Sequence, residues 1–334
     1  MARGKVEFLS RGRPRLADPA WAKKAMEGRA EDISPCIRCN EGCLDRGNHL
    51  GKSINCTMNP LLGFEDALAI HPAEEKKKVA VVGGGPAGLK AADTAALRGH
   101  DVTLFEKRAL GGYLFEASYP DFKADIRDAH KYLVTQVNKH GVHIVEKEAA
   151  LQDLEDFDAV IIAAGASPAG LPVPGADREN VTLAVEALKD GGPRPTGEVV
   201  VVGGGLIGVE TALFFSARPN THVTILEMLP QIMNGCSDSD RTVYSQWIQE
   251  RNVAVYPSSR VTAISEAGVV IEQKGRGKTV PANHVFLATG MKSNSGLYDQ
   301  LLEKGIRVFS VGDSQALGKI YDAIHSGHKA GLKG

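Results

Sequence analysis

The chain has 334 residues, 43% of them hydrophobic, and a formal net charge of −1, so it is long enough for more than one core. The near-neutral balance gives no electrostatic reason to expect nucleic acid or an anionic membrane as a partner. Five cysteines in this length do not make a disulfide framework, the basic start MARGKVEFLSRGRPR lacks the apolar run of a signal peptide, and runs such as DAVIIAAGA are strand-length, so the expected location is cytoplasmic.

Taken in chain order, the first 75 or so residues are rich in Arg, Pro and Cys and show little periodicity. Within them, CIRCNEGCLDRGNHLGKSINC gathers Cys36, Cys39, Cys43 and Cys56. Clustered thiols in a reducing compartment hold metal or do redox work more often than they pair. Zinc suits thiolates but usually takes two CxxC-like knuckles, and the second half here is a single cysteine. Three close cysteines with a remote fourth suit a 4Fe–4S cubane. A third reading leaves the thiols unconnected. Cys236, alone in MNGCSDSD, reads as a bystander.

From Lys76 onward, β-branched strand-like runs alternate with helical stretches, which reads as α/β. The stretch KKVAVVGGGPAGLKAADTAALRGHDVTLFEK is echoed by EVVVVGGGLIGVETALFFSARPNTHVTILEM, so one mononucleotide-binding module occurs twice. Gly83, Gly85 and Gly88 form the first GxGxxG, and Gly203, Gly205 and Gly208 the second. Such glycines allow a tight turn, a close approach of backbone to pyrophosphate, and helix–strand packing, while the helix N-terminus faces the anion. Each turn follows a strand, opens a helix and is followed at the next strand's end by an acid, Glu106 or Glu227, at the offset of a ribose-binding carboxylate. Glu227, followed by MLPQIMNGCSDSD without a basic residue, favours NADH over NADPH, with Arg218 and Arg241 as the cations that could reverse that preference.

Other residues give weaker signals. Tyr113 and Phe115 read as core filler rather than flavin contacts. His325 and His328, in AIHSGHKAG, read as solvent-facing, and Lys329 and Lys333 as complements to the helix dipole.

The double motif, with AAG at 163–165, ATG at 288–290 and VGD at 311–313, resembles the two-dinucleotide flavoprotein disulfide-reductase fold. That resemblance implies FAD on Gly83, Gly85, Gly88, Glu106 and Asp313, and NAD(P)H on Gly203, Gly205, Gly208 and Glu227. No CxxC follows either turn, so it does not imply the disulfide chemistry. The stretch FLSRGRPRLADPAWAKKAMEGRAEDISPCIRCNEGC, with INCTMNP, resembles the junction in the 2,4-dienoyl-CoA reductase and trimethylamine dehydrogenase family. Those proteins are old-yellow-enzyme-like: an FMN-carrying TIM barrel, a 4Fe–4S linker, then the two-dinucleotide module. The resemblance covers essentially the whole chain. It implies a cluster on Cys36, Cys39, Cys43 and Cys56, and makes KVEFLSRGRP the barrel's last strand and phosphate loop, with Gly12 and Arg13 at the FMN phosphate. The remainder of the barrel, and with it the family's substrate site, is not expected in this chain.

The expected fold class is therefore α/β, with two Rossmann-like domains preceded by an iron–sulfur linker. Its expected parts are a barrel remnant and linker (1–35), a 4Fe–4S segment (36–76), an FAD domain (77–167 and 290–334) and an NAD(P)H domain (168–289). The function implied is an enzyme that passes electrons from NADH to FAD to 4Fe–4S and on to an FMN barrel in a partner chain. Two other readings stay open: a self-contained NADH diaphorase or quinone reductase, and an ADP-binding structural module with a vestigial second site, against which the intact motif with Glu227 counts. The small subunit of glutamate synthase resembles the chain less, since it carries two cysteine sets. Oligomer formation is left open.

Overall fold

The computed structural model describes residues 10–334; of KVEFLSRGRP, expected to be the barrel's last strand and phosphate loop, residues 5–9 lie outside the described residues. Helices α1 (Arg13–Ala17) and α2 (Trp21–Met26) precede a wide helical turn over Glu41–His49. There follow β1 (Lys78–Val82), α3 (Pro86–Leu97), β2 (Asp101–Phe105), α4 (Leu114–Ala117), α5 (Asp125–Lys139), β3 (His143–Val145) and β4 (Ala159–Ile162). The next stretch holds β5 (Ala166–Pro168), β6 (Val181–Leu183), α6 (Ala184–Ala187), β7 (Gly197–Val202), α7 (Leu206–Ser216), β8 (Thr221–Leu226) and α8 (Asp238–Glu250). It continues through β9 (Ala254–Tyr256), β10 (Ser259–Ser265), β11 (Gly268–Gln273), β12 (Arg276–Val280), β13 (His284–Leu287) and β14 (Met291–Ser293). Last come α9 (Gly296–Glu303), β15 (Val308–Ser310) and α10 (Ile320–Gly331).

The chain divides into two compact units. One gathers the residues up to Phe115 with 124–165 and 293–334, and the other 116–123 with 166–292. In the first unit a parallel sheet runs β15-β4-β1-β2-β3, with Val82 aligned between Phe105 and Ile162. Its central strands are continuous apolar runs because a parallel strand is covered on both faces, and Ala159–Ile162 is buried throughout. Helix α10 lies against α3 with almost no room between the backbones: a Cβ at Gly327 would stand 2.2 Å from the Ala87 oxygen, and one at Gly331 2.6 Å from that of Ala91. Between α3 and the end of α5, Asp93 accepts from Lys90 at 3.0 Å and pairs with His140 at 2.7 Å. Burial works against the Asp93 charge, but Lys90 and His140 outweigh it and hold the carboxyl at about 2.

The second unit repeats the plan, its parallel sheet running β6-β13-β7-β8-β9. Alternation along β7 sends Val199 and Val201 into a core with Val209, Leu213, Phe215 and Ile248 on the helical side. Val200 and Val202 face the other way, into a core with Ile264, Val269, Ile271 and Val285. That second face is roofed by the antiparallel strands β10, β11 and β12. Cys236 is buried among the helical-side residues, consistent with a packing role. Among the described residues no helix is long and apolar enough to cross a membrane.

Candidate functional site

In each sheet the strand order reverses beside the first strand of the module, which is where open α/β sheets offer a crevice at their strand ends to a nucleotide. In the first unit the chain leaves β1 at Gly83, whose φ of +104° suits glycine, and a Cβ there would stand 2.2 Å from the Ala163 oxygen. In the second, Gly203 repeats this with φ +109° and 2.2 Å to the Ala288 oxygen. Gly88 and Gly208 bring their helices onto the turns, where a Cβ would stand 1.8 and 1.9 Å from the oxygens of Gly83 and Gly203. Gly85 and Gly205 cap α3 and α7 in extended backbone.

The two acids hold the turns themselves. The Gly84 amide donates to Glu106 Oε2 at 2.6 Å, and the Arg108 amide to its Oε1 at 2.7 Å. The Gly204 amide donates to Glu227 Oε2 at 2.6 Å, and the Leu229 amide to its Oε1 at 2.7 Å. Each carboxylate thus stands fixed beside the turn. Neither candidate cation pairs with Glu227. Arg218 precedes β8, at the strand end opposite Glu227, and lies over the Phe214 ring; Arg241 donates to the Cys236 carbonyl and pairs with Asp238 at 3.9 Å. Asp313 lies just past β15 with Oδ1 accepting from the Gly318 amide at 2.9 Å, and burial raises its carboxyl above the usual range. Gly312 beside it packs on Ala87 in the first turn of α3, which brings Asp313 to the same end of the sheet as the first glycine turn.

Tyr113 lies near the Arg108 guanidinium, and Phe115, 37% exposed, packs on the His130 ring at 4.5 Å. In the second unit, Glu210 of α7 accepts from Lys123 Nζ at 2.6 Å and Tyr244 OH at 2.7 Å. This half-buried cluster near the second turn escaped the sequence reading, since its three members come from separate parts of the chain. Desolvation and the Glu210 charge raise the Tyr244 phenol.

The cysteine segment belongs to the first unit. Arg38 and Asn40 take left-handed backbone, with φ of 54° and 57°, and wrap the chain around the sulfurs. In the wide turn that follows, amides reach back five residues, from Asp45 to Asn40 and from Leu50 to Asp45. Gly42 lies directly on the next pass of chain: its carbonyl accepts from the Asn55 amide at 2.6 Å, and a Cβ there would stand 2.7 Å from the Asn55 oxygen. Cys36, Cys39, Cys43 and Cys56 consequently line one cavity, together with Arg13, Leu16, Ile37, Thr57 and Met58. Arg13 opens α1 with Gly12 before it, and its Nη1 donates to Asn40 Oδ1 at 2.8 Å.

Burial raises the Cys56 thiol to about 11, opposed by the Met58 and Asn59 amides aimed at its sulfur; burial also raises Cys39, opposed by Thr57 and the Glu41 amide. Amides directed at buried sulfurs favour the anionic form, so an all-thiol donor set with such donors fits a cationic iron–sulfur core. Among the described residues no three His, Cys, Asp or Glu side chains converge as on a single ion.

The histidines of α10 correct one expectation. His325 is 8% and His328 0% exposed. His325 Nε2 donates to the Cys56 carbonyl at 2.9 Å, and His328 is held between Thr94 and the Leu68 carbonyl. The residues before β1 cover the helix face that an isolated helical pattern leaves open.

The fold, with two glycine turns each answered by a fixed carboxylate, defines an FAD-dependent NAD(P)H oxidoreductase. Residues 77–313 match the model of the pyridine nucleotide-disulphide oxidoreductases. The chain is 38% identical to an NADH oxidase from Thermoanaerobacter brockii, over 98% of this chain and 52% of the relative. It is 35% identical to a bilirubin reductase from Mediterraneibacter gnavus, over 98% and 51%. A 2-naphthoyl-CoA reductase structure superposes with a TM-score of 0.92 at 32% identity, over 99% of this chain and 51% of that one. The chain belongs to the pyridine nucleotide-disulphide oxidoreductase family, and its relatives, an NADH oxidase and a 2-naphthoyl-CoA reductase among them, accord with the resemblance its sequence bears to the 2,4-dienoyl-CoA reductase and trimethylamine dehydrogenase proteins. It spans about half the length of the curated relatives it matches.

Proposed function

We propose that this chain is the NADH-oxidising module of a flavin and iron–sulfur reductase, relaying electrons from NADH through FAD and a 4Fe–4S cluster to an FMN-bearing barrel in a partner chain or region. The observation that carries the reading is the single cavity lined by Cys36, Cys39, Cys43 and Cys56, in the same compact unit as the first glycine turn. In this reading FAD is held by Gly83, Gly85, Gly88, Glu106 and Asp313 in a domain of residues 77–167 and 290–334. NADH is held by Gly203, Gly205, Gly208 and Glu227 in residues 168–289. Glu227, which forms no ion pair with Arg218 or Arg241, would accept both ribose hydroxyls and repel a 2′-phosphate. A flavin takes a hydride's two electrons and releases them singly, while a cluster carries one, which is why the two are combined. Gly12 and Arg13, at the edge of the thiol cavity, are the proposed contact to the FMN phosphate. The names of the relatives, an NADH oxidase and reductases of bilirubin and 2-naphthoyl-CoA, support a nicotinamide-driven reductase. Clustered free thiols also support a reducing, cytoplasmic location.

The test is an anaerobic NADH titration of FAD-loaded protein, following flavin absorbance and the EPR signal of a reduced cluster, with iron and acid-labile sulfide assayed alongside. Flavin bleaching with a cluster signal supports the relay. Bleaching in protein without iron or sulfide reduces it to a diaphorase. No bleaching in fully loaded protein ends the hydride-transfer reading and leaves the second site a relic.

A further inference from the structure

Cys36, Cys39 and Cys43 are placed by one continuous loop, but Cys56 arrives on a separate pass of chain. Nothing in local spacing fixes its sulfur relative to the other three, so its position depends on what the segment around it is tied to. One tie is the Gly42–Asn55 contact described above. Thr57 Oγ1 meets Cys39 Sγ at 3.1 Å and Asn59 Nδ2 donates to the Leu16 carbonyl at 2.9 Å. A further tie comes from α10, where the buried His325 donates through Nε2 to the Cys56 carbonyl at 2.9 Å. Its ring lies stacked on Tyr321, with centroids 4.0 Å apart and planes 22° apart, so the donor is held in orientation as well as in place. Just before the helix, Lys319 Nζ reaches the Glu41 carboxylate at 2.9 Å, and one turn after His325 the His328 ring reaches the Leu68 carbonyl at 2.9 Å. The same helix is fastened to the nucleotide turn. Ser326 Oγ accepts from the Gly312 amide at 3.0 Å, beside Asp313, and Gly327 lies on the Ala87 carbonyl of α3.

We infer that α10 is the spacer that fixes the thiol cavity against the first glycine turn, with His325 as the positioning residue at the cavity end. The inference rests on the cluster reading above. A rigid helix joined to both centres sets their separation, and a hydrogen bond from outside the ligand set orients the one ligand that the loop cannot. His325 acts through the peptide of Cys56.

The experiment compares the full chain with its His325→Ala and His325→Gln variants, each purified anaerobically. FAD content, iron and acid-labile sulfide per FAD, iron release to a chelator, and the EPR spectrum after dithionite reduction are measured. The expected result for His325→Ala is unchanged FAD content, an altered cluster spectrum and roughly 10- to 100-fold weaker iron retention. His325→Gln, which keeps an N–H donor of similar reach, is expected to recover part of that loss. An Ala variant with the same iron retention and spectrum as the parent overturns the inference while leaving the cluster reading intact. Loss of FAD together with iron in both variants also overturns it, because His325 then serves the folding of the whole unit. A parent chain with neither iron nor labile sulfide sinks the cluster reading, and the inference falls with it.

Discussion

The Gly84 amide meets Glu106 and the Gly204 amide meets Glu227 at the same 2.6 Å, and in both modules the chain beyond the acid returns to the turn by an amide-to-carbonyl bond of 2.7 Å. The donors there are Gly111 and Met233. Beyond this shared frame the modules part. In the first, Leu110–Gly112 continues across the helix start, so that a Cβ at Gly112 would stand 3.0 Å from the Gly85 Cα, and His130 pins that loop by its bond to the Leu110 carbonyl at 2.6 Å. A Cβ at Gly85 would lie 4.0 Å from the Gly112 Cα; in the second module, where Ile232 takes the place of Leu110 over the turn, a Cβ at Gly205 would meet nothing within 4 Å. The comparison teaches that duplication conserves the geometry of the glycine turn and its acid, while the loop that follows is free to differ. A roofed turn suits a flavin that stays, and an open one suits a nicotinamide that leaves after every hydride.

The strongest way to break the comparison is to damage each frame separately. Gly88→Ala and Gly208→Ala each force a methyl onto a backbone oxygen, at 1.8 and 1.9 Å, which no side-chain movement relieves. Each is expected to cost roughly 3 kcal/mol or more. Gly88→Ala should release FAD, while Gly208→Ala should keep FAD and lose flavin reduction by NADH. Flavin content and anaerobic bleaching read the two apart, and equal effects of both variants on FAD content would deny the division of labour.

Acid separates the units next. Burial lowers the His328 imidazole to about 4, with Lys90 adding to the effect. Unfolded histidine binds its proton below about 6.5, and folded His328 does not until about 4. The unfolded state therefore holds the extra proton between those values, so stability is whole above pH 6.5 and falls as the pH drops toward 4, by about 3 kcal/mol. Asp93, held at about 2, weakens the fold only below the usual carboxylate range, so it adds nothing in this window. In the second unit burial lowers His284 too, but that ring is only partly buried, so the first unit should open first. Flavin release on acid titration should precede loss of the second unit's far-ultraviolet signal, and His328→Gln should flatten the slope between pH 6.5 and 4.

A smaller effect is expected at the second acid. Glu227→Ala strands the amides of Gly204 and Leu229 in a nearly buried site, at a cost of roughly 1–3 kcal/mol. Its consequence should be a raised KM for NADH with FAD retained. Unchanged KM would mean that the carboxylate shapes the turn and no more.

The modules were legible in the sequence because everything that builds a glycine turn is local: a strand, three glycines, a helix, and an acid at a fixed offset. The thiol spacing was legible for the same reason. The α10 histidines were not. Helical periodicity places His325 and His328 on a face, but whether that face meets water depends on the distant Cys56 and Leu68 segments. Glu210 was missed likewise, since its partners Lys123 and Tyr244 are far from it in sequence. Long-range docking leaves no local signature, and it decided both.

Gly205 is where the least structural effect carries the most functional meaning. Its φ of −69° is open to any residue, and a Cβ there meets empty space. Beyond the mild preference of a helix N-cap for glycine over alanine, the fold gives no reason for glycine at this position. Gly205→Ala should cost no more than about 1 kcal/mol, the weaker N-cap being partly offset by a narrower unfolded ensemble. A pyrophosphate drawn to the helix N-terminus supplies the missing reason, because the added methyl would occupy the space the phosphate needs. NADH affinity should therefore fall although the fold does not. Calorimetric melting together with NADH titration checks both halves. A variant that melts like the parent and binds NADH like the parent would mean that the second turn holds no pyrophosphate, and that the open loop around it is not an entrance.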